Sequence, residues 1–273
     1  MHYKQFILAL AIALAFAACS RNAITGRRQL SLVSDAEVQN MAASEYRSFL
    51  STSKVVAPAR SKDAEMVNRV GKRLVTAIQS YYQEKGLQNE LSSFSWEINL
   101  VDAKDVNAWC MPGGKIVVYT GILPVTQNEP ALAVVMGHEI AHALAKHGKE
   151  RMSQGLMQQA GGVALSVALA NKPTETQNLF LNAYGLGSQV GVMLPFSRSN
   201  ELEADKFGLM FTALAGYNPQ EAIPFWQRMA KLSAGSQKPP EMLSTHPADE
   251  TRIASLQKMM DETISKYYRP VKG

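Results

Sequence analysis

Two histidines spaced four residues apart constrain this sequence more than any other feature. The segment 138–142 reads HEIAH and lies within residues 126–151, whose apolar side chains recur at helical spacing. On a helix, His138 and His142 lie on one face about one turn apart, so both imidazoles can reach a single tetrahedral Zn²⁺. Glu139 projects beside them and can accept a proton from a water molecule on the metal, whose pKa zinc lowers to roughly 7. The alternative is a purely structural histidine pair on a helix.

A catalytic zinc site also needs a third protein ligand and an open fourth position. A further predicted helix begins near Ser199, and on it Glu201 and Asp205 lie one turn apart on the same face. One carboxylate can bind zinc while the other receives the second ring N–H of a ligand histidine. Acidic pairs on helices are usually solvated, so this pair predicts a metal site only together with the histidine pair about sixty residues earlier.

The composition excludes several classes of protein. The chain has 273 residues, of which 46% are hydrophobic and 19% charged, and this is typical of a globular protein rather than a disordered one. A mean hydropathy of −0.12 excludes a polytopic membrane protein. The formal charge of +5 comes from basic residues that form no long run, so we expect no nucleic-acid partner.

The N-terminus is predicted to be a targeting segment. Residues 6–18 are thirteen apolar residues without a charge, which is the length of a secretory signal core and too short to span a bilayer as a helix. Followed by Cys19, the stretch resembles a bacterial lipoprotein signal, in which the cysteine becomes the lipid-modified N-terminus. Ser20 is not the aspartate that often retains such lipoproteins at the inner membrane, so we expect an outer-membrane anchor that faces the periplasm. A signal-anchor helix, or secretion with a free thiol, is the alternative.

The chain therefore divides into a signal peptide at 1–18, a solvated tether at 19–30 and one domain at 31–273. The domain shows one internal change of pattern, from helical periodicity to strand alternation and back again. We find no repeat and no low-complexity segment that would mark a further boundary.

Helices dominate the predicted domain. A half-buried strand is predicted at 96–100 and another at 115–120, and the second follows a Pro-Gly-Gly turn typical of a hairpin. Residues 171–187 are predicted to form a loop, which by its length and position we expect to be a mobile lid over the cleft. The predicted fold is α+β and mainly helical, with a small sheet or hairpin next to the histidine helix.

The motifs together resemble the gluzincin metallopeptidases, which include HtpX-type quality-control proteases, CAAX prenyl proteases and Oma-type mitochondrial proteases. Bacterial periplasmic lipoproteins of that family show the nearest resemblance. The likeness covers about residues 30–256, and the segments that carry it are GHEIAH at 137–142, PFSRSNELEAD at 195–205, STHP at 244–247 with Arg252, and PGGKI at 112–116. It implies a zincin-like fold, one Zn²⁺ per chain and hydrolysis of peptide bonds.

The resemblance also implies a role for each candidate residue. His138, His142 and Glu201 would bind the zinc. Glu139 would be the general base, and Asp205 would receive the free ring N–H of a ligand histidine.

His246 would point into the cleft near the metal, and three roles are open to it. It can donate a hydrogen bond to the developing oxyanion, or it can close the fourth zinc position and keep the enzyme latent. It can also be a histidine satisfied at a loop-to-helix junction. His147 lies five residues beyond His142 on a different helix face and is predicted to be structural.

The strand at 115–120 resembles the substrate-binding edge strand of the family. An unpaired edge can add an extended peptide as a further strand, which makes little demand on the sequence of the peptide. The residues expected to contact substrate are Asn107, Lys115, Ile116, Val117 and Val118. The alternative is a core strand without ligand contact.

The expected function is that of a membrane-anchored, zinc-dependent endopeptidase that cleaves unfolded or misassembled cell-envelope proteins. Outer-membrane assembly machinery is a candidate partner. The alternative is a lipoprotein chaperone or assembly factor whose zinc site is structural or latent. An intracellular zinc hydrolase of small molecules is a third alternative, which lipidation of Cys19 would exclude.

Overall fold

A computed structural model describes residues 19–160, 173–184, 196–234, 240–247 and 250–270. The predicted signal peptide lies outside the described residues, as do the two ends of the predicted lid. The helices longer than two turns in the described part are α1 (Asp35–Thr52), α2 (Lys62–Glu84), α3 (Glu129–Leu144), α4 (His147–Ala160), α5 (Pro173–Ala183), α6 (Arg198–Leu214), α7 (Ala222–Ala234) and α8 (Glu250–Tyr267). The strands there are β1 (Cys19–Arg21), β2 (Arg28–Leu30), β3 (Val55–Val56), β4 (Glu97–Val101), β5 (Ala108–Met111) and β6 (Lys115–Tyr119).

Strands β3 to β6 form a sheet in the spatial order β3-β4-β6-β5. Strand β4 runs parallel to β6, and the hairpin at the Pro-Gly-Gly turn is formed by the antiparallel strands β5 and β6. The sequence pattern predicts β4 and β6 but not β5. The hairpin turn contains Gly113 and Gly114 with φ angles of 79° and 83°. Glycine is favoured at such angles, and a Cβ on Gly114 would also lie 2.6 Å from the ring of Trp96. The backbone conformation of this turn therefore requires the glycines of the Pro-Gly-Gly segment.

The strand order shows that the edge-strand prediction is wrong. Strand β6, which contains residues 115–118, lies between β4 and β5, so its backbone is paired on both sides. The edge on this side of the sheet is β5. The glycine turn pairs β5 with one side of β6, and the crossover after β4 places β4 on the other side. Alternation of side chains identifies a strand, but it does not say which strand lies outermost.

Helix α3 carries the HEIAH segment through the centre of the domain. It packs against α2, β5 and α6, and residues 131–144 are buried without exception. Its sequence is apolar around the whole circumference, as a helix buried on all sides requires. The closest approach is to α6, where a Cβ on Gly208 would lie 2.9 Å from the backbone of His138. This contact brings the helix with the two histidines against the helix with the two carboxylates.

The ends of α3 differ from the prediction. The helical segment was predicted to begin at residue 126, but Thr126 ends a preceding one-turn helix, and the N-cap of α3 is Asn128, whose side chain accepts a hydrogen bond from the backbone of Ala131. The C-terminal end is at Leu144, and the predicted continuation to residue 151 is interrupted. Lys146 adopts a left-handed conformation with φ of 58°, after which α4 begins in a new direction. The residue in the left-handed position is a lysine, and the nearest glycine, Gly148, lies inside the first turn of α4.

Residues 19–30, predicted to be a solvated tether, form the antiparallel hairpin β1–β2 against the domain. The buried side chains of Asn22 and Gln29 donate hydrogen bonds to the backbone carbonyls of Leu144 and Ala145, at 3.0 and 2.5 Å. These carbonyls belong to the C-terminal end of α3, where helical partners are missing. The hairpin therefore completes the hydrogen bonding of the central helix.

The loop prediction for 171–187 is wrong over α5. Proline at the first position suits a helix start, and Phe180 and Ala183 are buried in a cluster with Trp109 and Met111 on one face of the sheet. A segment with a packed apolar face does not fit the hypothesis of a mobile lid.

The fold class is confirmed as α+β and mainly helical, with a small sheet beside the histidine helix. Among the described residues, none of the helices combines the length and the apolar character that crossing a bilayer requires.

Candidate metal centre

Four buried side chains converge at the contact between α3 and α6. His138 and His142 come from α3, Glu201 from α6, and His246 from the end of the one-turn helix Glu241–Thr245. One potential ligand atom from each lies within 4.8 Å of all the others.

The spacing of these atoms fits one tetrahedral metal ion. Nε2 of His138 lies 3.0 Å from Nε2 of His142 and 3.3 Å from Nδ1 of His246. Oε1 of Glu201 lies 3.3 Å from Nε2 of His142 and 2.8 Å from Nδ1 of His246. Four atoms that each lie about 2.1 Å from one tetrahedral zinc are about 3.4 Å apart. Nitrogen and carboxylate oxygen are also the donors that zinc prefers, so the residues fit the ion.

Two members of the cluster, His142 and Glu201, have the protonation state that metal binding requires. Burial lowers the pKa of His142 well below its usual value, which keeps the ring neutral. Burial raises the pKa of Glu201, but His246 and Arg252 outweigh this effect and hold the pKa well below its usual value. Glu201 Oε2 makes no hydrogen bond of acceptable geometry among the described residues, although Arg252 Nη1 lies 3.0 Å away.

His138 is held by a carboxylate on its other ring nitrogen. Its Nδ1 lies 3.0 Å from Oδ1 of Asp205, as the sequence predicts for a residue that receives the free N–H of a ligand histidine. Burial lowers the pKa of His138, but the hydrogen bonds with Asp205 and Glu201 raise it to about 9. In the metal-free protein this ring therefore carries a proton that zinc must displace.

Arg252 closes this side of the cluster. Its Nε and Nη2 donate hydrogen bonds of 2.8 and 2.7 Å to the two oxygens of Asp205, and its guanidinium stacks 3.5 Å above the ring of Trp226. The sequence named Arg252 as part of a weak motif but did not predict its contacts, because it lies 47 residues from its carboxylate partner.

Glu139 is buried beside the cluster without a hydrogen-bond partner for Oε1 among the described residues. Burial is the main cause that raises its pKa above the usual value. A carboxylate with a raised pKa and a free oxygen is able to accept a proton near neutral pH.

His246 faces the cluster through one ring nitrogen. Nδ1 makes the contacts to Glu201 and His138, while Nε2 lies 3.6 Å from Oε1 of Glu139. The ring of Phe196 lies against His142 and His246, with centroid distances of 4.3 and 5.5 Å. This placement fits a fourth ligand better than a histidine satisfied at a loop junction.

A small cavity opens beside the cluster. Asn107 and β5 line it together with Glu139, His142 and His246. Asn107, which was expected to contact substrate, therefore lies near the metal centre. Residues 115–118 are elsewhere in the sheet: Ile116 to Val118 are core, and Lys115 pairs with Glu97 and donates a hydrogen bond to the backbone of Ser95.

Two cysteines are free, and the structure separates their settings. Cys19 is exposed at the start of β1, and Cys110 is buried in β5.

The sequence predicted His147 to be structural, but its ring contacts His142. An unbroken helix would have turned His147 away, so the break at Lys146 hid this contact from sequence reasoning.

Comparisons with known proteins agree with the site. Residues 61–260 match the profile described as "Peptidase family M48". The chain is 32% identical over 197 residues to "Mitochondrial metalloendopeptidase OMA1" of Saccharomyces cerevisiae, covering 70% of this chain and 54% of that protein. It is 31% identical over 245 residues to the protein of the same name from Schizosaccharomyces pombe, covering 89% and 67%. It is 32% identical over 160 residues to "Beta-barrel assembly-enhancing protease" of Yersinia pestis, covering 57% and 32%. The chain thus spans between about a third and two thirds of the length of these relatives.

Proposed function

This chain belongs to peptidase family M48, and from that membership we propose that it is a membrane-anchored, zinc-dependent endopeptidase that cleaves unfolded or misassembled cell-envelope proteins. One observation carries the proposal: Glu139, a buried carboxylate with an oxygen that has no hydrogen-bond partner among the described residues, lies beside a cluster of four residues whose spacing fits zinc.

The ligands of this proposal are His138, His142 and Glu201, with Asp205 orienting His138. A zinc ion held there would supply Lewis acidity toward a water molecule and toward the carbonyl of a scissile peptide bond. Glu139 would take a proton from the attacking water at Oε1 and deliver it to the departing amine. The raised pKa of Glu139 supports the first transfer, because it makes the carboxylate a stronger base toward the proton of the water. The second transfer would follow because an amine is a stronger base than a carboxylate.

Substrate would bind along β5. In the part of the sheet that the structure describes, this strand is the edge that borders the cavity with Glu139, and an edge strand can pair with an extended peptide. Asn107, immediately before β5, is the predicted substrate residue that keeps its place in the proposal. Recognition through backbone groups supports a preference for unfolded chains.

The envelope location rests on two supports. The N-terminal sequence with Cys19 resembles a lipoprotein signal, and one relative is named a beta-barrel assembly-enhancing protease. Other relatives are named mitochondrial. We propose an anchor through lipid on Cys19, in the outer membrane facing the periplasm.

One observation favours a second candidate. His246 brings a fourth protein atom to the cluster, and four protein ligands are typical of structural or latent zinc sites. In that case the protein would act as a chaperone or assembly factor, or as a protease that becomes active when His246 moves away.

The test compares the full chain in detergent with Glu139→Gln at equal measured zinc content, using casein as substrate. We expect unchanged zinc and a loss of turnover of about 10²- to 10⁴-fold. Equal turnover in both proteins would refute the mechanism. Equal zinc with no turnover in either would favour the second candidate, and a gain of activity in His246→Ala would then identify a latent protease.

A further inference from the structure

A chain of buried polar contacts leads away from the proposed zinc ligand His142. Its Nδ1, on the side opposite the cluster, lies 2.9 Å from Nδ1 of His147. Nε2 of His147 lies 2.7 Å from Oε2 of Glu203. His147 is completely buried, with 0% of its surface exposed. The two histidines of α3 are therefore supported differently: His138 contacts a carboxylate directly, and His142 reaches one through a second imidazole.

The carboxylate at the end of this chain sets the direction of each hydrogen bond. Glu203 can only accept, so Nε2–H of His147 donates to it. In a neutral imidazole the other nitrogen accepts, so Nδ1–H of His142 donates to Nδ1 of His147. The lone pair of His142 is then on Nε2, the atom that lies 3.0 Å from Nε2 of His138 in the cluster. This is the tautomer that a ligand through Nε2 must have.

The contacts continue to the N-terminal hairpin. Arg27 Nε donates a hydrogen bond of 3.2 Å to Oε2 of Glu203, and its Nη1 and Nη2 pair with the two oxygens of Glu150 at 2.8 and 2.7 Å. Glu150 also accepts a hydrogen bond of 3.2 Å from Asn200 of α6. A guanidinium that is bound on both sides by carboxylates keeps Glu203 in place beneath His147.

We propose that His147 is a positioning residue for the metal ligand His142, and that Arg27 makes the β1–β2 hairpin part of the same support. The inference rests on the proposed function, because it requires that His142 binds zinc through Nε2. His147 acts by fixing the tautomer and the ring orientation of His142, and not by touching the ion or the substrate. Loss of such an outer contact typically lowers metal affinity by about 10- to 100-fold.

The experiment measures zinc affinity of the full chain by competition with a chelator of known affinity, and the visible absorption of the Co²⁺-loaded protein as a report on ligand geometry. His147→Phe keeps a buried ring but accepts no hydrogen bond. His147→Asn places an amide oxygen near the position of Nδ1, so it can still accept the proton of His142. We expect a loss of affinity of about 10- to 100-fold and an altered Co²⁺ spectrum in the Phe variant, with most of both restored in the Asn variant.

Two further variants test the hairpin and guard against misfolding. Arg27→Gln should lower zinc affinity by less than His147→Phe but by more than the matched control Arg69→Gln, whose ion pair with Glu129 lies at the first residue of α3. Glu203→Met removes the terminal acceptor from a partly exposed position. It should also weaken zinc binding, which keeps the proposal testable if the buried Phe variant does not fold.

The outcomes separate this inference from the proposed function. Wild-type affinity in the folded Phe variant, or in Glu203→Met, would overturn the role of His147. Equal loss in the Phe and Asn variants would overturn the role of hydrogen-bond acceptance. Arg27→Gln with the affinity of Arg69→Gln would overturn the part of the hairpin. If the unaltered protein bound no zinc, the proposed function itself would fail.

Discussion

At the scale of residues, charge balance under the cluster depends on one cation. Arg252 is buried, lies within 3.0 Å of Glu201 and is paired with both oxygens of Asp205. Burial raises the pKa of Asp205, but Arg252 and His138 outweigh it and hold the pKa below the usual value. Arg252 thus allows two carboxylates to remain ionised in a dry interior.

We predict that Arg252→Met strongly destabilises the metal-free protein. Removal of Arg252 leaves His138 as the remaining cationic partner of Asp205 and Glu201. Breaking a buried ion pair by removal of one partner typically costs about 3–5 kcal/mol. Chemical unfolding of the metal-free chain measures the change in free energy of unfolding. Arg69→Met serves as the control, because that arginine pairs at the surface and its loss should change little. Equal effects of the two substitutions would contradict the prediction.

We also predict that zinc affinity increases with pH. In the metal-free protein the pKa of His138 is about 9, so at lower pH zinc must displace its proton. The zinc dissociation constant should therefore fall by about tenfold per pH unit between pH 7 and 8, and level off above the pKa. Chelator competition at several pH values, with proton release measured in weakly buffered solution, provides the test. A pH-independent affinity over this range would show that His138 is neutral before zinc binds.

The site residues that could be predicted from the sequence lie only a few positions apart along the chain. His138 and His142 are one turn apart, as are Glu201 and Asp205, and helical geometry alone brings each pair to one face. Contacts between distant segments could not be predicted in the same way. Arg252 meets Asp205 only because α8 packs on α6, and His147 meets His142 only because the helix breaks between them.

At the scale of elements, the approach of α3 to α6 sets the distance between the histidines and the carboxylates. Gly137 and Gly208 face each other at this contact, and a Cβ on Gly137 would lie 2.9 Å from the carbonyl oxygen of Gly208. Because the neighbouring atoms belong to backbone, neither helix can yield without moving its ligands.

We predict that Gly208→Ala destabilises the protein and weakens zinc binding together. The added Cβ would lie 2.9 Å from backbone atoms of His138, and overpacking of this kind typically costs about 1–3 kcal/mol. Gly155→Ala in α4 is the matched control, since its Cβ would meet only the end of the Leu179 side chain. Thermal unfolding with and without zinc measures both effects. A variant with wild-type stability and affinity would mean that the helices can separate freely.

Element boundaries divide into those with a local signal and those without one. Ser34 and Glu37 form a capping box at the start of α1, with both hydrogen bonds present, and the sequence can indicate such a box because it needs only residues three apart. The end of α3 and the order of the strands had no such signal. Contacts from distant segments surround the left-handed Lys146: Gln29 donates a hydrogen bond to the carbonyl of Ala145, and Lys146 pairs with Asp35. Strand order is decided by the path of the chain between strands.

At the scale of the whole molecule, the proposed anchor is a lipid on Cys19. This cysteine is exposed at the first residue of β1. We predict that Cys19→Ser moves the chain from the membrane fraction to the soluble fraction while casein cleavage and zinc content remain unchanged. Fractionation of the producing bacteria, with mass spectrometry of the N-terminal peptide, measures the outcome. A serine variant that stays membrane-bound would point to a signal-anchor helix instead.

The β1–β2 hairpin also limits the distance between the domain and a lipid on Cys19. Asn22 is hydrogen-bonded to Leu144 at the end of the central helix, and only three peptide steps separate it from Cys19. At about 3.5 Å per residue, a lipid on Cys19 would lie within about 10 Å of chain from that hydrogen bond. With so short a connection, the protease would stay in the layer of solvent next to the membrane surface. It would meet the chains that emerge at that surface and pass over those that drift free of it.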